Sequence, residues 1–162
     1  MSESVWAVLG GIVMRVGDAS DGSPYGTRVY IRHDSGEVTM YAHLESCCVF
    51  PKQIIRDCET IGIMGSSGAK EKHLHLSYFK LGVREYTSRY TSDPAPFIAA
   101  HFMPCNTKAT NPYGSTEHHP AVPFHEGIDF SGWDKIATDG KPTAGLVVNA
   151  QYEKLYKTRV AQ

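Results

Sequence analysis

The segment His73-Leu74-His75-Leu76-Ser77-Tyr78-Phe79 reads as a strand. On a strand, positions i and i+2 project from the same face, so His73 and His75 point the same way. Further along the chain lies His125-Glu126-Gly127-Ile128-Asp129-Phe130, where His125 and Asp129 share a face if the segment is extended. Taken alone, the first fragment is equally a half-exposed strand with two incidental histidines, and the second a loop histidine with a turn aspartate. Taken together, they supply two histidines and a carboxylate, the ligand types that hold a catalytic zinc and leave its fourth position for water. Neither fragment makes a site alone, so the fold must bring them together.

Outward from these fragments, the first hundred residues read as β. Val5–Val8, Ile12–Val16, Arg28–Arg32, Val38–Ala42, Thr60–Met64 and Leu74–Phe79 are short and rich in β-branched or aromatic residues. Turn signals separate them at Gly10-Gly11, Asp21-Gly22-Ser23-Pro24, Asp34-Ser35-Gly36 and Gly65-Ser66-Ser67-Gly68. Asp34-Ser35-Gly36, set between two strand-like runs, predicts a hairpin. This spacing predicts a mainly β fold, a small antiparallel sheet or sandwich. Thr91 to Pro96 reads as an extended, proline-stiffened exit, and residues 99–110 as a linker. A second, smaller β-like part follows, with strand candidates at Lys135–Thr138 and Leu146–Ala150. Tyr152 to Gln162 fits a short helix or a strand equally.

A chain of 162 residues is most simply one domain. Here that domain is 1–162: a sheet part over 1–98, the linker 99–110, and a segment over 111–162 that carries His125 and Asp129. No apolar run approaches the roughly 18 residues of a membrane helix, and no signal peptide is visible at the N-terminus. A formal net charge of −1 without a basic cluster argues against nucleic acid as the partner. Cys47, Cys48, Cys58 and Cys105 fit no common zinc-finger spacing; reduced, partly buried thiols are the simplest reading, with a bridge from Cys47 or Cys48 to Cys58 as the alternative. His33, beside the hairpin turn, reads as structural. His118 and His119 fall in a loop before His125, and His101 has no evident role.

The combined pattern resembles the lysostaphin-like (LytM-like) zinc endopeptidases, which cut the peptide part of bacterial peptidoglycan. The matching residues are His125 to Asp129 for the family's His-x-x-x-Asp, Tyr41-Ala42-His43-Leu44 for its Tyr-x-His-Leu, and His73-Leu74-His75 for its His-x-His. Tyr25 to His33, Ile61 to Gly68, Asp93 to Phe97 and Asn111 to Gly114 look like further family segments. Together these cover most of residues 5–140. The resemblance implies the small antiparallel β fold of such peptidases, zinc held by His75, His125 and Asp129, and catalytic roles for His43 and His73. One of that pair would take the proton from the attacking water, and the other would stabilise the oxyanion or return a proton to the leaving amine. Tyr113 is a candidate oxyanion donor on the same grounds.

The departure is order, since His-x-x-x-Asp comes first in the family and last here. A circular permutation accounts for this: the usual ends are joined through 99–110 and the chain is reopened after the Asp129 strand. A faint echo of residues 5–13 in 135–141 fits such a break, and chain ends that lie close together make permutation tolerable. The competing account is a fragment of a tandem array, whose halves would meet only between chains in a swapped dimer. A monomer is preferred, because the two halves add up to one complete site. The implied partner is a peptidoglycan peptide, reached in an extracellular, periplasmic or virion-associated setting. The competing function is a peptidase-like binding or regulatory module without activity.

Overall fold

A computed structural model of the chain describes residues 4–57, 59–101, 107–111 and 127–133. It contains β1 (Ser4–Trp6), β2 (Gly11–Gly17), β3 (Thr27–Arg32), β4 (Val38–Cys47), β5 (Ile54–Ile55), β6 (Thr60–Met64), β7 (Leu74–Phe79), α1 (Ala95–Ala100), β8 (Thr107–Asn111) and β9 (Ile128–Trp133). His125, Tyr113, His118, His119, Cys58, Cys105 and the strand candidates beyond Trp133 lie outside the described residues.

The strands form one antiparallel sheet in the order β5-β2-β3-β4-β7-β9-β8, with β6 joining β4 to β1. Alternation explains why it has two apolar faces. Val29, Ile31, Tyr41, Leu74 and Leu76 pack into a large cluster with Val5, Val13 and Ile61, while Tyr30, Val38, Met40, Ala42 and Phe79 form a smaller one on the opposite side. Each buried valine, leucine, isoleucine, methionine or phenylalanine among them contributes about 1.5–3 kcal/mol. Inside the larger cluster the Tyr41 hydroxyl accepts from the Val8 amide at 2.8 Å, so a lone backbone donor is satisfied where water cannot reach it.

One residue breaks the alternation. His43 has φ +60°, a left-handed conformation rare outside glycine. Ala42 and His43 together face Arg28 alone, because Tyr41 pairs with Val29 and Leu44 with Thr27. The extra residue is a β-bulge. Its effect is to shift the phase of β4, so that Leu44 shares a cluster with Tyr41 rather than with Ala42. It also marks a change of partner. Residues 38–42 of β4 pair with β7, and residues 44–47 pair with β6.

The hairpin read at Asp34-Ser35-Gly36 joins β3 to β4, and Gly36 supplies its left-handed turn residue at φ +89°. Two regions differ from the sequence reading. The proline-rich exit turns helical at Ala95, because Asp93 caps the Ala95 amide at 2.9 Å and Pro96 falls in the first turn, where no amide is required. Part of the stretch read as a linker is β8, paired with β9. Helix α1 is held by Phe97, which stacks on Tyr78 at 4.9 Å and approaches His33 at 5.1 Å.

His33, read as structural, is 2% exposed and bonds the Gly10 carbonyl and Thr39 hydroxyl at 2.9 and 3.0 Å. Burial pushes its imidazole below the ordinary histidine value, and His101 acts the same way; the Gly10 carbonyl, Glu37 and Asp34 oppose them. Unfolding restores an ordinary affinity near pH 6.5. Below that pH the unfolded chain therefore binds the extra proton, and stability falls as pH drops from about 6.5 toward the depressed native value. Urea unfolding of His33→Gln between about pH 7 and 5 is expected to show a shallower loss than the wild type. An unchanged slope would remove His33 as a source of acid sensitivity.

Candidate functional site

Three of the histidines singled out in the sequence converge where β4 changes partner. The His43 and His73 rings lie 4.6 Å apart by their centroids, and His43 and His75 lie 5.8 Å apart. The reason is topological. Ala42 and His75 are register partners on β4 and β7, so His43 falls beside His75 as its strand turns away. His73 sits one turn of the ladder earlier, bridged to Gly65 at the end of the β6–β7 loop. Tyr25, in the turn before β3, brings its ring within 5.5 Å of His75.

Each ring has a nitrogen set against a polar partner. His43 Nδ1 lies 2.8 Å from the Ser67 carbonyl, and His73 Nδ1 lies 2.9 Å from the Glu71 carbonyl. A carbonyl only accepts, so both rings, when neutral, carry their proton on Nδ1 and their lone pair on Nε2. His75 differs: its Nε2 is 2.8 Å from the Ser77 hydroxyl. His43 and His75 are buried, and His73 is half-buried.

Ser67 fastens the junction. Its hydroxyl accepts from the Thr27 amide at 2.9 Å and donates to the Leu44 carbonyl at 2.7 Å, while its own carbonyl takes the His43 ring. One residue thus ties β3, β4 and the β6–β7 loop around the bulge. The His43 amide adds a bond to the Tyr25 carbonyl at 3.0 Å. A left-handed histidine costs about 1–3 kcal/mol. Bonds from the amide and ring, at about 0.5–1.5 kcal/mol each, are of the size needed to offset it.

Of the residues read as metal ligands, His75 has its side chain described, buried on β7. Asp129 lies on β9 as the register partner of His75. His125 is outside the described residues, and among the described residues no three potential ligands form a group. The donor types fit zinc: imidazole and carboxylate on neighbouring strands are the set such a site draws on. Sequence reasoning passed over Tyr25, Ser67 and Ser77 as individual residues. Ser77 carried a usable signal, a hydroxyl two positions from His75 on the same face of a strand.

Comparison with known proteins bears on the same region. The sequence pattern of peptidase family M23 matches residues 1–87, which include His43, His73 and His75. Outer membrane antigenic lipoprotein B of Histophilus somni is 37% identical over 79 residues, 48% of this chain and 23% of that protein. Peptidoglycan DD-endopeptidase ShyC of Vibrio cholerae is 30% identical over 82 residues, 50% of this chain and 18% of that protein. The chain thus spans about a fifth of the length of these relatives. The catalytic domain of lysostaphin from Staphylococcus simulans shares the fold, with a TM-score of 0.53 and 22% identity over 60% of this chain and 71% of that domain. LytU gives a TM-score of 0.53 and 26% identity over 62% of this chain and 67% of its own.

Gly127, just before β9, presses on His75. A methyl carbon added there would lie 2.5 Å from His75 Nε2 and 2.6 Å from the Leu76 carbonyl oxygen. The second of these is backbone inside β7 and cannot swing away. Gly127→Ala is therefore expected to lose about 1–3 kcal/mol in urea unfolding and to shift the ring resonances of His75. Wild-type stability with unmoved resonances would mean that residue 127 does not pack on β7 of its own chain in solution.

Proposed function

The chain belongs to peptidase family M23, and on that premise we propose that it is a zinc-dependent endopeptidase acting on peptide bonds of bacterial peptidoglycan. The observation that carries the reading is the convergence of His43, His73 and His75, with position 129 in register beside His75. These residues come from segments far apart in the chain. Within one chain β9 lies against β7, and this supports a circularly permuted monomer over a site shared between chains.

His75, His125 and Asp129 would hold the metal. Zinc, when bound, lowers the pKa of its water to about 7 and polarises the scissile carbonyl. His43 and His73 supply the proton chemistry. Both are oriented by backbone carbonyls at Nδ1, so when neutral each keeps its lone pair on Nε2 for proton transfer. One removes a proton from the attacking water, and the other stabilises the developing oxyanion or protonates the leaving amine. Burial of His43 beneath the β6–β7 loop keeps its orientation fixed during these transfers, as efficient proton transfer requires.

The substrate class is that of the named relative ShyC, a peptidoglycan DD-endopeptidase. Such a substrate places the site of action in the cell envelope, in keeping with the outer membrane lipoprotein among the relatives. No helix among the described residues is long and apolar enough to cross a membrane.

The test is zinc content together with release of amines from purified peptidoglycan, for the wild type and for His43→Asn. Asparagine tolerates the left-handed backbone of position 43, so the bulge survives while the imidazole is lost. The variant is expected to keep its zinc, to melt slightly lower for want of the ring's bond to Ser67, and to lose about 10²–10⁴ in rate. Wild-type protein that binds zinc but releases no amine would make it a binding module. Loss of zinc in His43→Asn would move His43 from proton transfer to metal ligation.

A further inference from the structure

We propose that Ser77 is the positioning residue for His75: its buried hydroxyl accepts the Nε2 proton and so turns Nδ1 toward the metal. The inference rests on the zinc-peptidase reading above and assigns one residue of its site.

Ser77 is fully buried on β7, in a run of otherwise apolar, aromatic and imidazole side chains. A hydroxyl taken out of water without a partner costs about 1–3 kcal/mol on protein scales. Its partner here is His75 Nε2 at 2.8 Å, two positions back on the same face of the strand. Gly127 closes the same edge of the ring, since a single carbon added to it would come within 2.5 Å of Nε2 and 2.6 Å of Cε1. A metal ion at Nε2 would have to displace the Ser77 bond in a space that is already filled. A neutral imidazole carries one proton and one lone pair on its two nitrogens. With the proton on Nε2 and given to Ser77, the lone pair lies on Nδ1, the nitrogen that would bind. Histidine ligands characteristically donate their second ring N–H to such a partner, which fixes both tautomer and ring orientation. His43 and His73 carry the opposite arrangement, with Nδ1 on backbone carbonyls. The three rings thus divide into one set up as a ligand through Nδ1 and two set up as proton carriers through Nε2.

The test has two parts. Nitrogen-15 NMR of the metal-free wild type, read at His75, is expected to show the Nε2–H tautomer. The Nδ1–H tautomer would overturn the proposal without recourse to any variant. Zinc affinity is then measured by competition with a chromophoric chelator, and the absorption of the cobalt-loaded protein is recorded, for wild type, Ser77→Ala, Ser77→Thr and Ser77→Cys. Ser77→Ala is expected to bind zinc about 10- to 100-fold more weakly and to change the cobalt spectrum. Ser77→Thr, which keeps the hydroxyl, is expected to restore both. Should the alanine variant not fold, Ser77→Cys takes its place, with the weak acceptor sulfur expected to weaken zinc binding measurably. Unchanged affinity and spectrum in the folded variant would overturn the role of Ser77 and leave the peptidase reading standing. A wild type that binds no zinc would remove both.

Discussion

The left-handed backbone at His43 is the constraint on which the rest of the site depends. Without it, β4 would run on in register with β7, and Leu44 would fall on the opposite apolar face. The bulge lets one strand serve two partners, β7 before His43 and β6 after it. The loop that connects β6 to β7 must then begin and end at this fork, and the Gly65–His73 bridge shows that it does. His73 reaches His43 because the loop closes there, not because the two are near in sequence. A bulge is a common device for aiming one side chain out of a regular ladder. Here it aims a histidine across the end of the neighbouring strand.

Holding such a fork open needs polar groups in a region of low dielectric, where an unpartnered one is costly. Ser67 answers that with three bonds from one residue. The same bonds that satisfy the broken ladder orient the His43 ring, so stability and chemistry are not separable at this position. His75 is held differently, by a hydroxyl from its own strand and by the close backbone of Gly127. Rigid β-strands on both sides fix the ring more exactly than a loop would, which would suit the metal-ligand role proposed for it.

The legible parts of the fold are those where period-two alternation runs uninterrupted. The strands around Ile31, Met40 and Leu76 are readable because each alternates between two buried faces. The bulge is not, since nothing in Tyr41-Ala42-His43-Leu44 marks a left-handed residue; glycine or asparagine would have been the signal. The pair Ile54–Ile55 of β5 is too short to carry a pattern. Thr107–Asn111 is mostly polar and becomes a strand through its pairing with β9 rather than through its own composition. Helix α1 is hidden by the prolines at 94 and 96, which suggest extended backbone; the Asp93 carboxylate on the Ala95 amide starts a helix there instead. Of the site, the histidine motifs are readable because spacing encodes a shared face. The hydroxyls that hold them are not, because serine is also the commonplace residue of turns.

Chain order matters less to such a site than it first seems. An antiparallel ladder is specified by which face each strand buries and by its register, and neither refers to the order in which the strands occur. The pairing of His75 with Asp129 needs only that the intervening chain be long enough to return. Some fifty residues separate β7 from β9, and closing a loop of that length costs only about 0.6 kcal/mol more than closing one half as long. Burial of a single leucine such as Leu74 or Leu76 exceeds that difference. A strand that carries an aspartate and a flanking glycine shaped to the His75 ring can therefore be delivered from either end of the sequence at nearly the same free energy. What cannot be moved is Gly127, because any larger residue there meets both the imidazole and the backbone of β7.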